Sequence, residues 1–241
     1  MNVSLERDYY LRISDFDRYG RLKASSILDI FQDIAASHAN ELGIGFDAMM
    51  AHETIWVLSK VKFEVFSQPA LYETVHVKTW PLQPDKLIFT RDYLITDKNG
   101  ETVAKGTSEW VVINSVTRKL VPAADSFPIK EGFITERMFE GKIKKIPEFT
   151  SENESYVVNT AFSDCDINGH VNNIQYANYV MDALALDESK SIKTFQIDYS
   201  QEVMMGTELH IHTKLEDNEI VTKGIGDDEK KKFACQIVVS E

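Results

Sequence analysis

The apolar positions of this chain follow two periods in a repeating order. Tyr9–Ile13 reads as a short strand. Over Ala24–Leu42 the apolar residues Ile27, Leu28, Ile30, Phe31, Ile34 and Ala35 fall on one face of a helix. Four segments rich in Val, Ile, Phe, Trp and Thr follow, at Ile55–Phe66, Glu73–Trp80, Leu87–Thr96 and Thr102–Asn114, and predict strands. Asp97-Lys98-Asn99-Gly100 is a turn signal that makes a hairpin of the last two. Residues 128–150 are charged and weakly patterned, and predict a linker. The order then recurs. Tyr156–Phe162 predicts a strand, 163–170 a loop, and Asn172–Leu186 a helix with Val171 or Asn172 near its N-cap. Strands are expected at Lys193–Tyr199, Glu208–Leu215, Glu219–Gly224 and Lys231–Val239.

The two halves also match residue by residue. A shift of 149 places Ser14-Asp15-Phe16-Asp17-Arg18-Tyr19-Gly20 on Ser163-Asp164-Cys165-Asp166-Ile167-Asn168-Gly169, and Asp33 on Asp182. A shift of 134 places Phe63-Glu64-Val65 on Ile197-Asp198-Tyr199, and His76 and Thr79 on His210 and Thr213. The change of offset implies about fifteen extra residues between the helix and the next strand of the first half. Two matches in the right order predict an α+β chain of two tandem hotdog modules, each a long helix wrapped by a curved antiparallel sheet. The expected division is 1–127, a linker at 128–150, and 151–241.

The differences between the halves carry the chemistry. In the second half Asp166, Asn168 and His170 stand at alternate positions just before the helix, where alternate side chains of an extended loop share a face. A carboxylate, an amide and an imidazole beside free helix N–H groups are parts of a site that polarises a carbonyl and moves protons. The first half has Asp17 opposite Asp166, but Tyr19 opposite Asn168, Arg21 opposite His170 and Gln68 opposite Glu202. One half is expected to be chemical and the other kept for packing and ligand binding.

Composition narrows the classes. The 241 residues are 43% hydrophobic with a net charge of −12, which disfavours a general nucleic-acid binder. No apolar run reaches the ~18 residues of a membrane span. Two cysteines, Cys165 and Cys235, do not make a disulfide framework. Met1-Asn-Val-Ser-Leu-Glu-Arg-Asp has no basic segment followed by an apolar one, so the expected location is the cytoplasm.

Nearly the whole chain resembles the acyl-acyl carrier protein thioesterases. In the first half the resemblance lies in Ile55-Trp56-Val57, Thr90-Arg91-Asp92-Tyr93-Leu94, Thr107 to Asn114, and Thr117-Arg118-Lys119-Leu120. In the second it lies in Asp166-x-Asn168-x-His170-Val171-Asn172-Asn173-x-x-Tyr176. Where that family carries a Tyr-Arg-Arg-Glu-Cys run, this chain has Tyr199-Ser200-Gln201-Glu202-Val203. Both arginines and the cysteine are replaced, and Val203 cannot be a nucleophile. The resemblance implies hydrolysis of a fatty acyl thioester on acyl carrier protein by Asp166, Asn168, His170 and Glu202. It needs no metal or organic cofactor. Glu202 is expected to take the proton of a water, helped or oriented by His170, and would gain as a base from partial burial. The N–H groups of Val171, Asn172 and Asn173 are expected to receive the oxyanion. Attack by Asp166 or Glu202 as a carboxylate nucleophile stands as a second route.

The resemblance also implies that the first half shapes the acyl pocket, with Phe31, Ile34 and Trp56 as candidate lining; ordinary core is the other reading of that helix face. Cys165 adjoins the motif, and Phe16 at its counterpart favours a small packed residue. His210 and His212 share a strand face without an obvious third metal ligand. Lys130, Arg137, Lys142, Lys144 and Lys145 form either a solvated run or a dock for an acidic carrier protein. An acyl-coenzyme A thioesterase of the same fold and a non-catalytic acyl-binding protein are the alternative functions. A monomer or a homodimer is expected, with no nucleic-acid or membrane partner.

Overall fold

The computed structural model describes residues 3–123, 131–150 and 154–240. The chain divides into two compact units, Met1–Leu22 with Ile27–Ile143, and Lys23–Ser26 with Lys144–Glu241. The first holds β1 (Leu5–Tyr10), α1 (Ala24–Glu41, from Ile27 onward), α2 (Phe46–Ala51), β2 (Thr54–Val65), β3 (Thr74–Pro81), β4 (Phe89–Thr96), β5 (Thr102–Asn114) and the two-residue β6 (Leu120–Val121). The second holds β7 (Glu154–Asn159), α3 (Gln175–Leu184), β8 (Ser191–Tyr199), β9 (Glu208–Glu216), β10 (Glu219–Gly226) and β11 (Lys231–Ser240).

Within the first unit the strands run β1-β3-β4-β5-β2, and within the second β7-β9-β10-β11-β8, all antiparallel. The topology is the same, and so is the register. Tyr10 pairs with Thr74 as Asn159 pairs with Glu208, and Val65 pairs with Ala104 as Tyr199 pairs with Phe233. A slip of one residue would turn every buried side chain outward. Shared register in the two units is therefore stronger evidence of a repeated module than the sequence matches that predicted it.

In the first unit the apolar face of α1 meets the sheet. Phe31 stacks on Tyr93 at 4.2 Å between ring centres and meets Phe63 edge-on at 6.4 Å. Gly106 lets that ring lie on the strand, since a Cβ there would fall 2.1 Å from Phe31. His38 is fully buried on the same helix, with its Nδ1 2.9 Å from the Arg91 guanidinium. Gly43, at φ +73°, turns the chain out of α1, and the Ile44 N–H caps the Ala39 carbonyl at 2.9 Å. In the second unit Tyr176 of α3 packs edge-on against Tyr199 at 5.4 Å and Phe233 at 5.2 Å.

Two local readings change. The first strand lies at Leu5–Tyr10, ahead of the expected Tyr9–Ile13, because Ile13–Asp15 winds into a 3-10 turn. The helix expected over Asn172–Leu186 is shorter. The Asn172 side chain accepts the Ile174 N–H at 3.0 Å and builds a turn instead, and Ala185, at φ +43°, ends α3. The expected linker is a strap pinned by buried acids. Asp92, Glu109 and Asp198 accept the backbone N–H groups of Met138, Ile143 and Ile146 at 2.8, 3.1 and 3.0 Å. Of its basic residues, Lys142 pairs with Asp85 at 2.7 Å and Lys145 with Glu148 at 3.5 Å, both lysines staying mostly exposed. Lys130 and the first residues of that segment lie outside the described residues. No helix among the described residues is long and apolar enough to cross a membrane.

Gly106→Ala is predicted to force Phe31 off Tyr93 and cost about 1–3 kcal/mol of stability. Urea unfolding measures it, and a midpoint equal to wild type would show that the ring yields without cost.

Candidate active site

The strand β7 leads into a 3-10 turn at Phe162–Asp164, closed when the Asp164 carboxylate accepts the Ala161 N–H at 2.7 Å. A bridge between Cys165 and Val171 then pinches off the loop between them. Inside it Asp166 organises the backbone. Its carboxylate accepts the Asn168 N–H at 2.8 Å and the Asn168 side-chain amide at 3.4 Å. Its own N–H donates to the His170 carbonyl at 2.8 Å, and its carbonyl accepts the Gly169 N–H at 3.0 Å. Gly169 takes φ +78°, which a side chain would oppose.

A second segment, between β8 and β9, brings the carboxylate. The Val171 N–H donates to the Val203 carbonyl at 2.8 Å, and His170 bridges to Met204. The residues before that bond, His170 and Glu202, are thereby set face to face. His170 Nε2 lies 3.6 Å from Glu202 Oε2, with the side chains 29% and 40% exposed. Water reaches both. Glu202 is less buried than the expected base, because it stands at the rim of the loop and not under it. The buried Val203 serves as the backbone clamp.

The helix-start donors need correcting. The Val171 N–H is spent on Val203 and the Asn172 N–H on the Asp164 carbonyl at 2.8 Å. Among the described residues the Asn173 N–H has no such partner, so of the three expected oxyanion donors it alone is uncommitted. Two tyrosines that received no role from the sequence support this corner. The Tyr199 hydroxyl donates to the Asn173 carbonyl at 3.0 Å. Tyr176 is buried in the helix. Burial pushes its phenol well up, and the Glu202 carboxylate adds to the effect. Both tyrosines were visible in the motif, but a hydroxyl's partner cannot be read from spacing.

The candidate acyl residues lie in the first unit. Phe31 and Ile34 are packed core, 2% and 0% exposed, because the helix face that would line a pocket is held against the sheet. Trp56 is half-buried, donates to the Ile44 carbonyl at 3.0 Å, and meets Phe89 edge-on at 4.8 Å. Cys165 is half-buried and Cys235 fully buried, both as free thiols. His210 pairs with Glu208 at 3.2 Å. Among the described residues no group of side chains could hold a metal ion.

The first unit supplies an internal comparison. Asp17 builds the same turn as Asp166, accepting the Tyr19 N–H at 2.8 Å, while Gly20 takes φ +76°. In place of the imidazole, Arg21 pairs with Asp17 at 2.7 Å and lies 4.8 Å from the Tyr19 ring centre. Gln68, opposite Glu202, accepts the Leu22 N–H at 2.9 Å. The turn is common to both units, so the first job of Asp166 is architectural. The imidazole and carboxylate belong to the second unit.

Two family models match the chain. Residues 2–128 match the acyl-ACP thioesterase N-terminal domain and residues 148–240 the C-terminal domain. The chain belongs to the acyl-ACP thioesterase family. It is 25% identical over 221 residues to oleoyl-acyl carrier protein thioesterase 2 of Arabidopsis thaliana, covering 83% of this chain and 60% of that one. With the palmitoyl-acyl carrier protein thioesterase of the same plant the identity is 28% over 192 residues, covering 73% and 47%. The chain thus spans about half the length of the curated relatives it matches. In fold it is similar to an acyl-ACP thioesterase from Bacteroides thetaiotaomicron, with a TM-score of 0.87 at 24% identity over 98% of both chains. The 12:0-ACP thioesterase of Umbellularia californica gives 0.85 at 20% identity over 100% and 98%.

The shared turn yields a paired prediction. Burial works against the Asp17 carboxylate, but the Arg21 and Tyr19 hydrogen bonds and the Arg21 charge outweigh it and hold its pKa below the ordinary value. Asp17→Ala is therefore expected to cost on the order of 1 kcal/mol at pH 7. A depressed carboxylate stabilises above its unfolded pKa and stops doing so as pH falls through its folded one. The gap from wild type should close on acidification below about pH 4. Denaturant titrations of both proteins at pH 7 and pH 3 check this, and a gap that widens at pH 3 would refute it.

Proposed function

We propose that this chain hydrolyses the thioester of fatty acyl-acyl carrier protein, releasing free fatty acid and ending chain elongation. The observation that carries the reading is the facing pair of His170 and Glu202, 3.6 Å apart, on loops locked together by a backbone hydrogen bond. The duplicate module has Arg21 and Gln68 at those positions, and neither can take a proton at neutral pH. Membership of the acyl-ACP thioesterase family supports the choice of thioester and carrier.

In this reading Glu202 accepts a proton from a water as its oxygen attacks the thioester carbonyl. His170 orients that water, then takes the proton from Glu202 and passes it to the departing thiolate. The uncommitted N–H of Asn173 receives the developing oxyanion, which a fixed backbone donor stabilises without reorganising. Asn168 holds the water or the thioester. Asp166 keeps the turn that presents Asn168 and His170.

Glu202→Gln and His170→Ala should each lower kcat on an acyl carrier substrate by about 100-fold or more without loss of fold. Free fatty acid release, with circular dichroism as the control, tests this. Wild-type rates in both variants would remove the catalytic assignment. Single turnover in oxygen-18 water decides the route. Direct water attack puts the label in the fatty acid alone, and label in a protein carboxylate would establish the anhydride. Offering the same acyl groups on carrier protein and on coenzyme A settles which carrier is preferred.

A further inference from the structure

The segment that carries Glu202 is held from a second side, by Lys232 of β11. The main-chain carbonyl of Lys232 accepts the Ser200 and Gln201 N–H groups at 2.8 and 3.2 Å. Its ammonium donates to the Gln201 side-chain carbonyl at 3.2 Å and to the Asp228 carboxylate at 2.7 Å. Lys232 is 7% exposed, and an ammonium is rarely kept so far from water. Gly226 makes room for it. A Cβ there would fall 2.5 Å from Lys232 Cε and 2.9 Å from the Asp228 carboxylate. Glu202 therefore sits between two anchors, Lys232 on the side of Gln201 and the Val171 N–H on the side of Val203.

The duplicate module separates the two parts of the Lys232 anchor. Val65 pairs with Ala104 as Tyr199 pairs with Phe233, so Val103 stands opposite Lys232 and Ser67 opposite Gln201. The Val103 carbonyl accepts the Phe66 and Ser67 N–H groups at 2.9 and 3.4 Å, as the Lys232 carbonyl does in the second unit. Val103 is buried, so an apolar side chain is sufficient for the main-chain anchor. The Asp97 N–H donates to the Glu101 carbonyl as the Gly226 N–H donates to the Lys230 carbonyl, which sets Asp97 and Asn99 opposite Gly226 and Asp228. The room, the cation and its carboxylate thus all belong to the second unit. The module with Arg21 and Gln68 builds the anchor without a cation, and the module with His170 and Glu202 adds a buried one beside the base.

We propose that Lys232 is a positioning residue for Glu202: through the Gln201 side chain it fixes the segment that presents the carboxylate to His170. Its part in hydrolysis rests on the thioesterase reading. A buried ammonium is a poor way to stabilise a hairpin, since its desolvation offsets most of what its partners return. Asp228 does not need it for neutralisation, because the Asp228 side chain is 39% exposed and keeps its water. What the ammonium adds over the Val103 arrangement is a grip on the residue next to the base. Glu202 itself is 40% exposed, so its direction depends on the main chain on either side. A base displaced by about 1 Å loses much of its rate, while the binding of substrate is little altered.

Two variants and their combination test this. Lys232→Met keeps the aliphatic stem over Gly226 and removes the ammonium. Gln201→Leu, at an exposed position, removes its acceptor and leaves the hairpin untouched. On an acyl carrier substrate each should lower kcat about tenfold with KM within about twofold, because the link serves the base and not the substrate. The double variant should match the single ones within about twofold, since both changes break the same link. The urea midpoint of Lys232→Met should equal or exceed that of wild type, as an apolar side chain replaces a buried charge. Amide exchange over residues 200–203 should quicken about threefold or more in both variants, with β8 and β11 unchanged.

Wild-type kcat in Lys232→Met, or unaltered exchange over residues 200–203, would overturn the positioning role. So would a fall in kcat that comes with a lowered midpoint and adds to that of Gln201→Leu, which would make Lys232 a residue of hairpin stability. Should Lys232→Met fail to fold, Gln201→Leu alone decides by the same kcat, KM and exchange readings. A wild type that hydrolyses the substrate no faster than either variant sinks the positioning role and leaves the thioesterase reading. If wild type hydrolyses no acyl thioester yet the variants loosen residues 200–203, the thioesterase reading fails and Lys232 still fixes Glu202.

Discussion

A single backbone hydrogen bond, from the Val171 N–H to the Val203 carbonyl, organises the candidate site. It joins a loop shaped by Asp166 to a segment leaving the sheet. One partner follows His170 and the other Glu202, so the 3.6 Å approach of those side chains is set by main chain and not by two long side chains finding each other. Backbone geometry is stiff, and a site built on it is preorganised. The same bond uses the Val171 N–H, which was a candidate donor to an oxyanion. Of the three candidate donors, that leaves the Asn173 N–H without a backbone partner among the described residues.

The repeat separates architecture from chemistry more cleanly than one module could. Asp17 and Asp166 form the same turn, with a left-handed glycine at the same place. Past the turn the copies diverge. Arg21 folds back on Asp17 and Tyr19, a self-contained cluster that asks nothing of a substrate. His170 faces across to Glu202 instead. A motif read only in the second half credits its aspartate with chemistry that the first half shows to be unnecessary for the turn to exist.

Much of the fold was legible because it rests on local pattern. The face of α1 and the long strands β2 and β5 follow periods that burial enforces, and the repeat multiplied the signal. Misplaced elements were those decided by one side chain. Asn172 was expected to begin the helix, but its carboxamide accepts the Ile174 N–H and delays α3 to Gln175. The charged side chains beyond 130 are solvated as they read, but no spacing rule says that the N–H groups of Met138, Ile143 and Ile146 meet buried acids 46, 34 and 52 residues away in sequence. The site was half legible. Asp166, Asn168 and His170 stand close in sequence, Glu202 required the family resemblance, and the partner of the Tyr199 hydroxyl had no signature.

The strap from Met138 to Ile146 has a consequence for how this chain can vary. Asp92, Glu109 and Asp198 each read one particular amide, and all three readers are fixed in sheets. The segment therefore behaves as a ruler and not as a spacer. Adding or removing one residue between Met138 and Ile143 would offer a carboxylate the wrong amide, leaving a buried charge without its donor. Its length is constrained, and so are Ile143 and Ile146, whose side chains are buried. Irregular in appearance, it is among the most tightly indexed stretches of the chain.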